Sequence, residues 1–226
     1  MNAFDLVPFA VLGAIVGLDV VSFPQAMISR PLVAATLSGA LAGDAERGVL
    51  IGAVLELVAL GTLPFGASRY PEWGSAAVVG GALYATGADA PTGHLALASL
   101  GALLAALLSG QSMVWLRTVN GRWARGARTA LESGRADLVM SLQLRGLAGD
   151  LVRGALVTAI ALGLLYRPYT VLGAIWSGSA AAERAVVAGL TAALGGATIW
   201  MLVRGTPGAR ACVVLGLAAG AVVLLR

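Results

Sequence analysis

The chain has 226 residues, of which 58% are hydrophobic and 12% charged, with a mean hydropathy of +0.87 and a formal net charge of +4 at pH 7. Soluble domains carry about 25% charged residues, so this balance excludes an ordinary soluble enzyme and indicates an integral membrane protein. All 15 basic residues are arginine; they cluster beside apolar segments, as orientation signals do, and no nucleic-acid partner is expected.

A spanning helix needs about 20 apolar residues, so the length admits roughly six to eight membrane segments with short loops. The expected fold is a single all-α, multi-pass helical bundle over residues 1–226. Its 31 glycines suit close helix packing, because lipid supplies no hydrophobic drive for helices to associate.

Phe4 to Val21 is the first apolar segment, with Pro8 inside it and Asp19 near its end. It lacks the basic flank and cleavage pattern of a secretory signal and reads as a retained helix. Ser22 to Pro31 carries Pro24 and Pro31 and reads as a bent connection at or just inside the membrane boundary. Pro31 to Gly43 is apolar but only 13 residues long, too short to cross as a helix, and reads as half of a broken or re-entrant element. After the charged turn Gly43 to Arg47, Gly48 to Leu63 supplies a second short helix, and TLPFGASRYPEWG breaks the chain again. Short, Gly/Pro-interrupted apolar segments point to a transporter site, because their unwound ends expose backbone dipoles to a solute.

Gly74 to Gly87 is another short apolar run, followed by the polar turn GADAPTGH. His94 to Leu116 is a spanning helix with the single histidine at its boundary and Gln111, Ser112 and Trp115 as an interfacial belt near its end. Arg117 to Arg153 is the one long polar stretch, with seven arginines against Glu132, Asp137 and Asp150. The positive-inside rule places it in the cytoplasm as a basic connector, either interfacial helix or solvated loop. Leu151 to Trp176, Ala185 to Val203 and Ala211 to Leu225 complete the apolar segments. Within the first of these, Arg167 sits either at an interface created by a break at Pro168 or opposite an acid such as Asp19 or Glu56.

No catalytic constellation is present. One histidine and one cysteine, Cys212, exclude a disulfide within the chain, a thiolate metal cluster and a His-rich centre, and the absence of lysine excludes a Walker loop. No cofactor or metal is expected, and the chain is not expected to be an enzyme by itself. Glu56 stands out instead: eight uncharged residues precede it back to Gly48 and a dozen follow it up to Arg69. A charged side chain at the centre of a bilayer helix costs about 2.5 to 3.5 kcal/mol on insertion scales, so it faces a protein-lined cavity or pairs with an arginine. With Asp19, Gln25, Thr36 and Asp44, it offers hydrogen-bonding groups near broken helices that suit the hydroxyls of a neutral polar solute. The same residues could serve an ion or an amino acid.

The segment RPLVAATLSGALAGDAERGVLIGAVLELVALGTLPFGA, from Arg30 to Ala67, resembles the hallmark region of the IIC subunit of the mannose, fructose and sorbose family of sugar permeases in the bacterial phosphotransferase system (PTS). Arg30, Pro31, Leu32, Thr36, Gly39, Gly43, Asp44, Gly48, Gly52, Leu55, Glu56 and Gly61 carry the likeness. It implies a sugar-translocating subunit of the bacterial inner membrane, oligomeric and paired with a IID-type membrane subunit. Such a subunit presents a hexose-like sugar to a cytoplasmic IIB protein charged by IIA. By that resemblance Glu56 holds the sugar, with the preceding FPQAMISRP loop, which carries Gln25 and Arg30, contributing; Asp19, Thr36 and Asp44 are supporting candidates by their hydrogen-bonding groups. Ser29 and Gln25 stand where the family pattern has a histidine and acidic residues, which leaves the sugar open. An ion- or proton-coupled carrier in which Glu56 titrates, and a non-transporting assembly subunit, are the competing expectations.

Overall fold

A computed structural model describes residues 3–62, 69–87, 93–176 and 203–224, together with Ser179 and scattered positions between 181 and 201. The middle of the expected GADAPTGH turn, the end of the Gly48 to Leu63 segment and much of Ala185 to Val203 lie outside the described residues. Eight helices have described bounds, α1 (Ala3–Val21), α2 (Pro31–Leu41), α3 (Ala45–Leu60), α4 (Trp73–Thr86), α5 (His94–Gly126), α6 (Arg128–Glu132), α7 (Ala136–Ile175) and α8 (Ala209–Leu224), and the described positions between 181 and 201 are also helical.

The two prolines act as expected. Residues 22–30 form no regular element, and Pro31 opens α2 at its first turn, where its missing N–H is no loss. α2 and α3 are the short pair anticipated from sequence, joined at Gly43, whose φ of 94° suits glycine. The following turn is tighter than the sequence suggests. Asp44 accepts the backbone N–H of Arg47 at 3.0 Å as a helix N-cap, so α3 begins at Ala45 and its first turn absorbs most of the charged GDAER segment.

α4 lies at the centre of the bundle. Every residue from Trp73 to Leu83 is buried, and the helix packs against α1, α2, α3, α5 and α7. A helix apolar all round belongs in such a core, and small side chains let its neighbours approach. A Cβ on Gly81 would lie 2.5 Å from the Ala35 carbonyl oxygen of α2, so that contact needs the bare Cα.

α5 and α7 are the two helices long and apolar enough to cross a membrane by length and composition among the described residues. At 33 and 40 residues they measure about 50 and 60 Å, against a hydrocarbon core of roughly 30 Å. Their arginine-rich ends therefore form most of the expected connector as helix, and no residue from 117 to 149 is buried. The connector is shorter than Arg117 to Arg153 implies, because Asp150 and Arg153 are buried inside the bundle. The expected break at Pro168 is also corrected: α7 runs through it unbroken, with Arg167 exposed. Proline costs about 3 kcal/mol in a helix interior, and contacts just beyond it hold the helix in place. Tyr169 is buried with its hydroxyl 2.9 Å from His94 Nδ1, and Gly173 packs against the same imidazole ring. His94 is thus both the first residue of α5 and a buried contact to α7.

Candidate functional site

The chain breaks converge on a cavity of about 300 Å³, at the small end of the ~300 to 1,000 Å³ typical of small-molecule sites. Its wall is made by the end of α1, the 22–30 loop, the start of α2, the end of α3 and the 70–74 segment. The apolar surface comes largely from Val20, Pro31, Tyr70, Pro71 and Trp73, and the polar groups include Asp19, Gln25, Ser29, Arg30 and Thr62.

Asp19 is buried, and both its carboxylate oxygens are occupied by the loop. Oδ1 accepts the Ala26 N–H at 2.6 Å and Oδ2 accepts the Ser29 N–H at 2.9 Å. The loop needs such a clamp, because Gln25 and Met27 adopt φ of 59° and 62°, a region non-glycine residues enter only at a cost. Gln25 is exposed, and its amide donates to the Val21 carbonyl at 3.3 Å. Asp19 therefore shapes the cavity wall, while Gln25 stands at its rim.

Glu56 is not among the cavity-lining residues. Its carboxylate pairs with the guanidinium of Arg30, which does line the cavity, and accepts the Leu32 N–H at 3.2 Å. The side chains of Arg30 and Glu56 retain 35% and 19% exposure. Glu56 thus orients an arginine and the first turn of α2, and the arginine presents charge to the cavity. Thr36 donates to the Leu32 carbonyl at 2.6 Å, and Asp44 pairs with Arg47 at 3.3 Å besides capping α3. Both lie outside the cavity lining.

Two aromatic residues in the wall were not anticipated. The Trp73 indole N–H donates to Thr62 Oγ1 at 2.7 Å, and the Tyr70 hydroxyl accepts from Arg117 at 2.7 Å. Trp73 is buried and the Arg117 guanidinium lies 5.3 Å from the Tyr70 ring centroid, so the two residues contribute apolar wall that is fixed in place by their polar contacts. Their signal in the sequence was two aromatic residues flanking proline beside a chain break, Tyr70-Pro71-Glu72-Trp73.

A second ionic group lies behind the cavity. Glu72 caps α4 by accepting the Ser75 N–H at 3.0 Å and also accepts the Ser109 hydroxyl. Arg153 Nη1 is 3.7 Å from Glu72 and donates to Ser109 Oγ at 3.2 Å. Its Nη2 donates to the Gly17 carbonyl at 3.3 Å, and its Nε lies 3.6 Å from Asp150, which also accepts the Ser22 hydroxyl. In sequence, Asp150 and Arg153 pass for the end of a basic loop. Their spacing of three, just before the apolar run from Gly154, was the available sign that they share one helix face.

No group of three or more His, Cys, Asp or Glu side chains suited to a metal occurs among the described residues.

Comparison with known proteins assigns this architecture. The family model described as the PTS system sorbose-specific IIC component matches residues 4–204. The sorbose-specific EIIC component of Klebsiella pneumoniae is 27% identical over 157 residues, covering 69% of this chain and 57% of that protein. The fructose permease IIC component of Bacillus subtilis is 31% identical over 120 residues, 53% of this chain and 42% of its own. The mannose-specific EIIC component of Escherichia coli K12 is 28% identical over 131 residues, 58% and 48% of the two chains. The chain thus spans about half the length of the curated relatives it matches. Two solved structures share the fold at 21% identity. One is a membrane protein with TM-score 0.71, covering 100% of this chain and 95% of that one. The other, with TM-score 0.62 and coverages of 98% and 87%, is from a cryo-EM structure of the mannose transporter ManYZ with microcin E492. A helical membrane bundle with short paired helices, matched along nearly all its length by one family model, settles the assignment: the chain belongs to the family of PTS system sorbose-specific IIC components.

Proposed function

We propose that the chain is the sugar-translocating membrane subunit of a PTS permease, and that the cavity between α1, α2, α3 and the 70–74 segment receives a hexose-like sugar. One observation carries this reading. Arg30 lines the cavity while Glu56 holds its guanidinium from the side. A guanidinium offers five N–H donors in a fixed fork, so one edge can bind the carboxylate while another meets a sugar hydroxyl. Gln25 adds an amide at the rim, Asp19 keeps the loop in place, and Trp73 with Tyr70 supplies apolar wall.

The relatives' names, sorbose, fructose and mannose components of PTS systems, support the sugar class and leave the individual sugar open. The same kinship supports a IID-type membrane partner, cytoplasmic IIA and IIB phosphocarriers and a bacterial inner-membrane location. In this reading the chain performs no chemistry itself; IIB phosphorylates the sugar it delivers.

The test is uptake of mannose, fructose and sorbose by vesicles containing the chain with its membrane partner and phosphocarriers. Uptake that needs the phosphocarriers and falls with Glu56→Gln supports the proposal. Uptake driven by a pH gradient without them would favour an ion-coupled carrier.

A further inference from the structure

The Glu72–Arg153–Asp150 cluster is unused by the sugar contacts just described, yet it holds the segments that form them. The side chains of Arg153, Glu72 and Asp150 are 6%, 0% and 10% exposed. Gly17 lies two residues before Asp19, and Ser22, bonded to Asp150, opens the loop that carries Gln25, Ser29 and Arg30. Glu72 stands between Pro71 and Trp73, both in the cavity wall, and its backbone N–H is tied to the Ala106 carbonyl of α5 at 3.0 Å. The separation from the cavity is slight. A Cβ on the lining residue Gly74 would lie 2.8 Å from Glu72 Oε1 and 3.3 Å from Ser29 Cβ. No described residue of α7 is part of that lining, so α7 acts on the cavity only from behind.

We propose that Arg153 is the positioning residue of this cavity, setting from α7 the spacing between the 22–30 loop and the 70–74 segment. The inference takes its ligand, and only its ligand, from the sugar reading above. Arginine suits the task because its planar fork donates to a backbone carbonyl and a hydroxyl while lying at ion-pair distance from two carboxylates. A lysine presents one nitrogen and keeps the charge without the span. A purely structural role would change how much protein folds and leave the affinity and loop position of the folded fraction unaltered.

The experiment uses the full chain together with its membrane partner in membrane vesicles. Sugar affinity for mannose, fructose and sorbose is measured on wild type, Arg153→Lys and the uncharged triple variant Glu72→Gln/Asp150→Asn/Arg153→Met. Loop position is read separately, as the maleimide labelling rate of Gln25→Cys in a Cys212→Ala background. Folded Arg153→Lys should bind about tenfold or more weakly, the scale expected when a supporting residue displaces contact groups, and its position 25 should label at an altered rate. The triple variant should fold without an unpaired buried charge and still fail to restore either readout. Wild-type affinity and labelling rate in a folded variant would overturn the proposal, and so would failure of both variants to fold, since the cluster would then serve folding alone. If wild type binds none of the three sugars, the sugar reading fails and the labelling rate decides the role of Arg153: altered supports it, unaltered overturns it.

Discussion

Two arginines in this bundle hold carboxylates in opposite surroundings. Arg30 and Glu56 meet at the edge of a cavity with 35% and 19% of their side chains exposed, whereas Arg153, Glu72 and Asp150 are 6%, 0% and 10% exposed. Burial decides what each can do. A partly exposed pair bordering a cavity can exchange one of its several hydrogen bonds for one to a solute hydroxyl. A pair removed from water is held by the desolvation its rupture would expose. The first pair suits a ligand site and the second suits a frame.

That contrast breaks most visibly at Arg153. Replacing it with leucine leaves Glu72 and Asp150 buried without their cation, and loss of one partner from a buried ion pair costs about 3 to 5 kcal/mol. Thermal unfolding of the detergent-solubilised chain should show a large destabilisation, and a wild-type transition would mean that the cluster is not a frame. At the other pair the effect should fall on binding. Glu56→Gln removes the charge that orients Arg30, a charge-assisted contact of about 1.5 to 3 kcal/mol, or roughly 10- to 100-fold in sugar affinity. Its fold should persist.

How much of this was legible in the sequence follows the same division. Pro24, Pro31 and Gly43 announced the chain breaks, and the absence of charge around Glu56 singled it out, because local chemistry decides both. That Glu56 turns toward Arg30 and not into the cavity depends on how α2 lies against α3, which no local pattern encodes. Glu72 lay hidden in a Gly/Pro-rich polar segment, and Arg153 in a run of arginines, where a charge is ordinarily solvated. Only the packing of α4 and α5 against α1 and α7 makes them interior residues. Pro168 misled for a related reason: a proline's local cost was outweighed by the packing of Tyr169 and Gly173 on His94.

Smaller perturbations sharpen the comparison. Gly81→Ala sets a methyl group 2.5 Å from the Ala35 carbonyl oxygen. Overpacking of a tight core costs about 1 to 3 kcal/mol, and the melting temperature should fall without a change in the sugar affinity of the folded fraction. The exposed Arg128–Glu132 pair, with 79% and 63% of its side chains accessible, marks the lower limit. Arg128→Ala should shift stability by less than about 0.5 kcal/mol, within the scatter of a melting experiment.

The most direct measurement is equilibrium binding of mannose, fructose and sorbose to the purified chain with its membrane partner, for wild type and for Arg30→Gln. Saturable binding of at least one sugar by wild type, weakened at least about tenfold when the guanidinium is removed, is the expected result. Binding that is equally tight without the guanidinium, in a variant that folds normally, would contradict the assignment of this cavity as the sugar site.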